Sequence, residues 1–251
     1  MLWVKRGAGC SSIELLANLS PMAAELFKKL EGIQAVVFDA YGTLFDVATP
    51  VFKQEVSLGG KAAEVAALWR AKQLEYSWIR SLVGVHADFW HVTREALDFT
   101  LETLGIDEAG LADELMTGML KLDAFGDVAA ALQALRAKGK RLAILSNGSP
   151  SMLDSVVRHA GLEKVFEHVL SVEEVGIYKP SRRVYRMAMQ KLQIHDAPSI
   201  CYVSANGWDA HSAAQFGFQS VRIKRAAGPD ERLPGKLAGV VESLGQVAEM
   251  V

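Results

Sequence analysis

Residues 36–48 place a carboxylate at the end of an apolar run, where a charged side chain needs a partner or a task. The stretch reads VVFDAYGTLFDVA, and its first three residues are typical of the end of a buried strand. A carboxylate held there must be satisfied, titrated or used, because burying an unpaired charge is costly. Asp39 is therefore the first candidate for chemistry, as a nucleophile, a base or a metal ligand.

Polar and ionisable side chains also follow three further strand-like runs of the chain. In an open parallel sheet, ligands bind beyond the carboxyl ends of the strands, so side chains at these ends are predicted to meet at one rim. The residues that share this placement with Asp39 are Ser146, Asn147, Tyr178, Lys179, Ser204, Asn206 and Asp209.

The types of these residues favour an anionic ligand. Lys179 supplies a cation that would keep Asp39 ionised, and a turn at Gly42 would let backbone N–H groups approach a bound anion. A predicted helix begins near Ser149, and its N-terminus is a further anion site. The second acid of the opening stretch, Asp46, is predicted to be a turn or cap residue.

The elements that must position these residues alternate between strand-like and helical patterns, which is typical of a parallel α/β sheet. The second strand follows the first only after about a hundred residues, far more than one crossover helix needs. Apolar residues at helical spacing predict a helical subdomain at 48–123, inserted between core segments 32–47 and 124–251. Strands are predicted at 35–39, 141–146, 168–172, 200–204 and 220–223, and helices at 127–138, from about 149, at 182–192 and at 209–216.

Composition and charge set bounds on function. The chain has 251 residues, of which 50% are hydrophobic, and its 27 basic and 29 acidic side chains give a formal net charge of -2. No basic stripe indicates a nucleic-acid or membrane surface, and no stretch approaches the roughly 20 apolar residues that a membrane span requires. A soluble cytoplasmic protein that acts on a small molecule is expected, without nucleic-acid or membrane partners.

Two features of the sequence concern the compartment and the N-terminal segment. Cys10 and Cys201 lie far apart and outside any CxxC pair, so both are predicted to be free thiols in a reducing compartment. Residues 1–31 precede the first strand, and the sequence leaves three interpretations of them open. They are an added helix, a vector-derived remnant, or the result of a misassigned start, with Met22 as the alternative initiator.

Four stretches in order, DAYGTLFDV, LSNGSP, YKPSRRVY and VSANGWDAHSAAQFGF, resemble the four motifs of the haloacid dehalogenase superfamily. More narrowly, they are similar to those of the L-2-haloacid dehalogenases. The resemblance runs from about residue 34 to residue 223, and within the insertion LWRAKQLEYSWIRSLVG and DFWHVTREAL are similar to that family's cap. It implies a doubly wound, mostly parallel, Rossmann-like sheet with an inserted helical cap, and a homodimer.

Two positions bear on which branch of the superfamily the chain resembles, since most members are Mg-dependent phosphatases. Phosphatases carry DxDGT, whose second Asp protonates the leaving alkoxide, and GDxxxD, which holds the metal. This chain has Tyr41 and Ala205 at the corresponding positions. A halide is a weak base and needs no proton donor, so the resemblance implies hydrolytic dehalogenation of small L-2-haloacids without a metal or other cofactor. The alternatives are a phosphatase of the same superfamily and a catalytically silent binder of small carboxylates.

The resemblance further implies a role for each catalytic residue. Asp39 attacks the carbon that carries the halogen, and water then hydrolyses the resulting ester at the Asp39 carboxyl carbon, which releases the 2-hydroxy acid. The residues expected to position Asp39 and the substrate carboxylate are Thr43, Ser146 and Lys179, with Tyr185 supporting Lys179. Those expected to hold or activate the water are Ser204, Asn206 and Asp209.

The residues that the resemblance assigns to the substrate and the halide come from the core and from the insertion. Arg70 and Asn147 are expected to receive the departing halide. The pocket walls are expected to be Tyr41, Leu74, Phe89 and Trp208.

Overall fold

The structure is a computed structural model, and it describes residues 28–251. Its described part contains a six-stranded sheet in which every strand runs parallel to its neighbours, in the order β3-β2-β1-β4-β5-β6. The predicted α/β fold class is thereby confirmed. The strands are β1 (Ala35–Phe38), β2 (Arg141–Ser146), β3 (His168–Ser171), β4 (Ile200–Ser204), β5 (Gln219–Ile223) and β6 (Gly239–Val241).

Five of the helices in the described residues lie between β1 and β2, and the first four of them fall within the predicted insertion. These four are α1 (Thr49–Phe52), α2 (Ala62–Val83), α3 (Phe89–Leu104) and α4 (Leu111–Gly118). The helices of the core are α5 (Val128–Ala137), α6 (Pro150–His159), α7 (Arg182–Leu192), α8 (Gly207–Phe216) and α9 (Leu244–Met250).

The centre of the sheet explains where the site lies. All four residues of β1 are fully buried, as expected for a strand that is covered on both faces. Phe38 pairs with Ile144 of β2 and with Val203 of β4, so the three strands end side by side. The strand order reverses between β1 and its two neighbours, and such a reversal opens a crevice beyond the carboxyl ends of the strands.

The helical insertion leaves and rejoins the core at one place. The Asp46 N–H donates to the Asp123 carbonyl at 2.9 Å, and the Phe125 N–H donates to the Leu44 carbonyl at 3.0 Å. Asp46 also accepts hydrogen bonds from the backbone N–H and the hydroxyl of Thr49 at the start of α1, so its prediction as a turn or cap residue is confirmed. The division of the chain into domains at residues 48 and 123 stays a prediction.

Other predictions concern the ends of the chain and its cysteines. Residues 1–27 lie outside the described part, and with them Cys10 and most of the predicted extension. Cys201 is a buried free thiol, and burial raises its pKa to about 12. The strand β6 and helix α9 were not predicted from the sequence, because a three-residue strand carries too little periodicity to recognise. Among residues 28–251, no helix is both long enough and apolar enough to cross a membrane.

Candidate active site

Asp39 follows the last residue of β1 and is 6% exposed. Its Oδ2 accepts hydrogen bonds from Thr43 Oγ1 at 2.9 Å and from Asn206 Nδ2 at 2.8 Å, and Ser204 Oγ lies 3.5 Å away. Its Oδ1 accepts one hydrogen bond, from Lys179 Nζ at 3.0 Å. The carboxylate is thus oriented through Oδ2, while Oδ1 keeps lone-pair capacity for a further interaction.

The ammonium of Lys179 lies between two carboxylates. Its Nζ is 3.0 Å from Asp39 Oδ1 and 2.9 Å from Asp209 Oδ2, and the lysine side chain is 1% exposed. It also donates to the hydroxyl of Tyr202 at 2.6 Å. Asp209, which the sequence placed at the start of a helix, lies in the first turn of α8, where the positive end of the helix dipole favours a negative charge.

Two tyrosine hydroxyls complete the surroundings of Asp209. Tyr185 donates to Asp209 Oδ1 at 2.7 Å, and Tyr202 donates to Asp209 Oδ2 at 2.7 Å. Tyr185 was expected to support Lys179 and does so only through Asp209. The tyrosine that contacts the ammonium directly is Tyr202, which the sequence analysis did not single out.

Burial dominates the electrostatics of this group. It raises the pKa of Asp209 above the ordinary carboxyl value, a rise that Asp39 reinforces and that Lys179 and the Tyr202 hydroxyl oppose. Burial, together with the nearby carboxylates, also raises the pKa of Tyr185 and Tyr202 well above the usual phenol value. Both hydroxyls therefore stay protonated and act as donors to the carboxylate.

Arg70 reaches the site from helix α2 of the insertion. Its Nη2 donates to Asn206 Oδ1 at 3.1 Å, and its Nη1 donates to Gln73 Oε1 at 2.6 Å. Gln73 is itself buried and donates to Thr93 Oγ1 at 2.7 Å. Burial lowers the pKa of Arg70, whereas Asp39 and Asp209 raise it. Asn206 consequently links the guanidinium of the insertion to the carboxylate of the core.

Tyr41 and Phe89, both predicted to line the pocket, are neighbours. Their ring centroids are 6.3 Å apart, and both side chains are almost completely buried. The Tyr41 hydroxyl is buried without a hydrogen-bond partner among the described residues, and burial followed by the charge of Asp39 raises its pKa. A Cβ at Gly148 would lie 2.6 Å from Tyr41 Cε2, so a glycine is needed there to admit the ring.

Ser146 was expected to help position Asp39 and the substrate carboxylate. Its Oγ accepts from the Gly148 N–H at 3.1 Å and makes no hydrogen bond to Asp39 within residues 28–251, and its role toward the substrate stays a prediction. The turn at Gly42 was expected to present N–H groups to an anion. The Gly42 N–H instead donates to the Phe45 carbonyl at 2.8 Å, and the N–H groups of Thr43 and Leu44 donate to the Ala40 carbonyl, so these three donors are used within the turn.

Asn147 is held close to Lys179. Its Oδ1 accepts a hydrogen bond from the Lys179 backbone N–H at 3.0 Å, which fixes the start of the lysine side chain. The Asn147 side chain is 7% exposed. The Asn147 Nδ2 group, by contrast, donates to no acceptor within residues 28–251.

Two cavities border the group around Asp39. Arg70 and Gln73 line one of about 440 Å³ whose other walls are mostly apolar. Lys179 and Trp208 line a second of about 690 Å³. Leu74 lies one turn after Arg70 on α2 and is half-buried, and Trp208 packs edge-on against Trp78 at 5.5 Å.

The donor set around Asp39 does not fit a divalent metal ion. Among the described residues, no group of three or more His, Cys, Asp or Glu side chains is arranged to hold one. Mg²⁺ prefers several oxygen ligands in octahedral geometry, whereas here the ammonium of Lys179 already fills the position between the two carboxylates.

The comparisons with known proteins identify the family of the chain. The model of the haloacid dehalogenase-like hydrolases matches residues 33–217. A (S)-2-haloacid dehalogenase 1 of Pseudomonas sp. (strain CBS-3) is 45% identical over 203 residues, which cover 80% of this chain and 89% of that one. A (S)-2-haloacid dehalogenase of Pseudomonas sp. (strain YL) is 43% identical over 222 residues, covering 88% and 95%.

A solved structure extends the comparison to three dimensions. The L-2-haloacid dehalogenase of Xanthobacter autotrophicus with chloropropionic acid covalently bound superposes with a TM-score of 0.79, at 37% identity, over 87% of this chain and 98% of that one. The chain belongs to the haloacid dehalogenase-like hydrolases. Within that family, its matched relatives are (S)-2-haloacid dehalogenases.

Proposed function

We propose that this protein hydrolyses small L-2-haloalkanoic acids to 2-hydroxy acids with inversion, through an ester formed on Asp39. The observation that carries the proposal is the state of Asp39, a buried carboxylate oriented through Oδ2 with its Oδ1 paired only to an ammonium. The covalently bound chloropropionic acid in the relative from Xanthobacter autotrophicus supports a covalent route.

In the first half-reaction, an oxygen of Asp39 attacks the carbon bearing the halogen from the side opposite the halogen. The new C–O bond forms as the C–halogen bond breaks, and the halide leaves with the bonding electrons. Thr43 and Asn206 fix the direction of the carboxylate, which brings nucleophile and substrate into a near-attack geometry. The substrate carboxylate pairs with the cationic and hydrogen-bonding groups around Lys179.

The halide leaves toward hydrogen-bond donors. Their hydrogen bonds to it become stronger as its negative charge develops. Arg70 offers a half-buried guanidinium, whose planar, weakly hydrated charge suits a departing anion. The Nδ2 group of Asn147 is a second donor, since its Oδ1 is occupied by Lys179. Tyr41, Phe89, Leu74 and Trp208 form the apolar surroundings of the alkyl group.

In the second half-reaction, water attacks the carboxyl carbon of Asp39. Asp209 takes a proton from this water and passes it to the ester oxygen as the bond between that oxygen and the Asp39 carboxyl carbon breaks. The 2-hydroxy acid leaves with an oxygen that came from Asp39, and the second proton of the water goes to solvent. Ser204 and Asn206 lie beside Asp39 Oδ2 and hold the water. Esterification removes the charge of Asp39, so Lys179 then has Asp209 as its remaining carboxylate partner.

The phosphatase alternative fits this geometry less well. Tyr41 stands where a phosphatase carries the acid that protonates its leaving alkoxide, and burial and Asp39 hold the pKa of Tyr41 above the usual phenol value. A phenol that binds its proton so firmly is a poor proton donor to an alkoxide near neutral pH. The departure of the halide in the first half-reaction needs no such donor, because a halide is a weak base.

The experiment is a halide-release assay on the enantiomers of 2-chloropropionate, with chloroacetate as the smaller substrate. Halide release from the L-enantiomer, with formation of D-lactate and no loss on adding a chelator, is the expected result. Hydrolysis of a generic phosphate ester that disappears with chelator would identify a phosphatase. Thermal stabilisation by 2-halo or 2-hydroxy acids without halide release would identify a silent binder.

The oligomeric state and the location of the protein stay predictions. We infer a cytoplasmic homodimer from the family resemblance, and exposed apolar side chains near the end of α2, at Leu82, Val83 and Val85, are consistent with a surface that a second copy covers. Sedimentation equilibrium would measure the mass in solution.

A further inference from the structure

Tyr202 lies outside the four sequence motifs that indicated catalytic residues. Its hydroxyl nevertheless contacts two charged side chains, which a residue that only packs in the core would not do. It lies on β4, two residues before Ser204, so the two side chains share one face of the sheet, the face toward Asp39. Tyr202 is fully buried. Its hydroxyl accepts from Lys179 Nζ at 2.6 Å and donates to Asp209 Oδ2 at 2.7 Å, so it joins the two charged groups on which ester hydrolysis depends.

We propose that Tyr202 is a positioning residue for the second half-reaction, whose hydroxyl holds Lys179 and ionised Asp209 together once Asp39 has become an ester. The inference rests on the proposed function and deepens it. In the free enzyme Lys179 is shared by two carboxylates. In the ester Asp39 carries no charge. The hydrogen bonds of the Tyr202 hydroxyl then keep Lys179 and Asp209 at their positions relative to each other.

The charged and titratable groups around the Tyr202 hydroxyl come from four elements. They are Asp39 after β1, Lys179 before α7, Tyr185 on α7 and Asp209 on α8. The Tyr202 hydroxyl is a donor to the ionised form of Asp209, and such a hydrogen bond lowers the pKa of the acceptor carboxyl. Removing the hydroxyl therefore raises the pKa of Asp209 further, since burial and Asp39 already raise it.

The direct test is Tyr202→Phe, which keeps the ring and its packing against Tyr185 at 5.8 Å and Phe218 at 6.0 Å. A hydrogen bond to a charged group corresponds to a loss of roughly 10- to 100-fold in kcat. We expect kcat to fall by that factor and kcat/KM, which reports the steps up to halide release, to change by less than about threefold. The ester on Asp39 should accumulate and be detected by mass spectrometry after an acid quench.

The pH profile separates this role from one of packing. Because Asp209 must be ionised to take a proton from water, the acid limb of kcat should move to higher pH in Tyr202→Phe. The matched control is Phe218→Leu, which disturbs the packing of the same ring and leaves the hydroxyl in place. It should lower stability without moving the acid limb and without accumulating ester.

A second readout requires no catalysis. A carboxyl whose pKa is raised on folding contributes stability that is full below its unfolded pKa and is lost as the pH rises through the folded pKa. In Tyr202→Phe the folded pKa of Asp209 is higher still, so the stability deficit relative to wild type should grow as the pH rises through the folded pKa of Asp209. Urea unfolding at several pH values measures this growth.

The outcomes are distinct. A wild-type protein that releases no halide refutes the proposed function, and the unfolding comparison still tests the bond between Tyr202 and Asp209. The inference is overturned if Tyr202→Phe keeps the wild-type kcat and acid limb, or if its stability deficit does not change with pH. A fall in kcat/KM without accumulated ester would assign the hydroxyl to the first half-reaction and would also overturn it.

Discussion

Asp39 and Asp209 share the ammonium of Lys179 but differ in their exposure to solvent and in the side chains that hold them. Asp39, at the end of β1, is 6% exposed and faces neutral donors from a threonine and an asparagine. Asp209, in the first turn of α8, is completely buried beneath two tyrosine hydroxyls. Each carboxylate has one oxygen with a single side-chain donor among the described residues: Oδ1 of Asp39 accepts from Lys179, and Oδ1 of Asp209 accepts from the Tyr185 hydroxyl.

The contrast shows how two residues of one type take different roles. A carboxylate at a strand end that is not completely covered can reach a substrate and suits a nucleophile. A completely buried carboxylate held by two tyrosine hydroxyls suits a proton acceptor with a fixed position. The chemical type of a side chain thus leaves its role open, and the donors around it decide.

The largest expected effect comes from removing the nucleophile. Asp39→Asn keeps the shape of the side chain and removes its charge, so halide release should fall by roughly 10⁴-fold or more. The matched control is Asp46→Asn, since Asp46 accepts hydrogen bonds from Thr49 outside the group around Asp39 and an asparagine keeps an acceptor there. Substantial dehalogenation by Asp39→Asn in the first turnover would contradict the role of Asp39.

Removing the other carboxylate should give a different kinetic signature. In Asp209→Asn the ester still forms, because Asp39 keeps Thr43, Asn206 and Lys179. Its hydrolysis should slow by roughly 10²- to 10⁴-fold, the usual contribution of a general base. A quenched sample should show the ester as a mass increase on the peptide that contains Asp39. An equal fall in the rates of ester formation and ester hydrolysis would contradict the proposed difference between the two carboxylates.

A substitution at the edge of the pocket tests how closely Tyr41 is packed. The added Cβ of Gly148→Ala would lie 2.6 Å from the Tyr41 ring, so either the ring or the loop must shift. We expect a loss of about 1–3 kcal/mol in the free energy of unfolding and a higher KM. Gly126→Ala is the control, because an added Cβ there meets nothing within 4 Å. Identical unfolding curves for the two variants would show that the packing is loose.

The smallest expected effect separates two buried tyrosine hydroxyls. Tyr41→Phe removes a hydroxyl without a partner among the described residues, so the free energy of unfolding should change by no more than about 1 kcal/mol, or rise. Tyr185→Phe removes a donor to Asp209 and should cost about 1.5–3 kcal/mol at neutral pH. Equal costs in chemical denaturation would mean that Tyr41 has a partner in solution.

Much of the fold and part of the site follow from the sequence, because the responsible signals are local. The apolar runs predict five strands of the sheet within one residue at each end, and the carboxyl ends of parallel strands must share one edge. That geometry predicts that Lys179 and Asp39 meet, although 140 positions separate them along the chain.

What the sequence left open depends on contacts that no local pattern encodes. Tyr202 stands in the run ICYVS, where an aromatic side chain reads as packing, and its hydroxyl acquires a role only through Lys179 and Asp209. The Gly42 turn satisfies its own N–H groups, which spacing does not reveal. Tyr185 was expected to support Lys179, and the sequence did not show that its hydroxyl donates to Asp209, which pairs with that lysine.

The central claim is that water attacks the carboxyl carbon of Asp39 and not the substrate. The most direct measurement is a single turnover, with enzyme in excess over L-2-chloropropionate, in water labelled with heavy oxygen. Mass spectrometry of the product and of the peptide that contains Asp39 then locates the label. We predict label in Asp39 and none in the first 2-hydroxy acid released, with label reaching product only in later turnovers. Label in the first product, with none in Asp39, would contradict the mechanism.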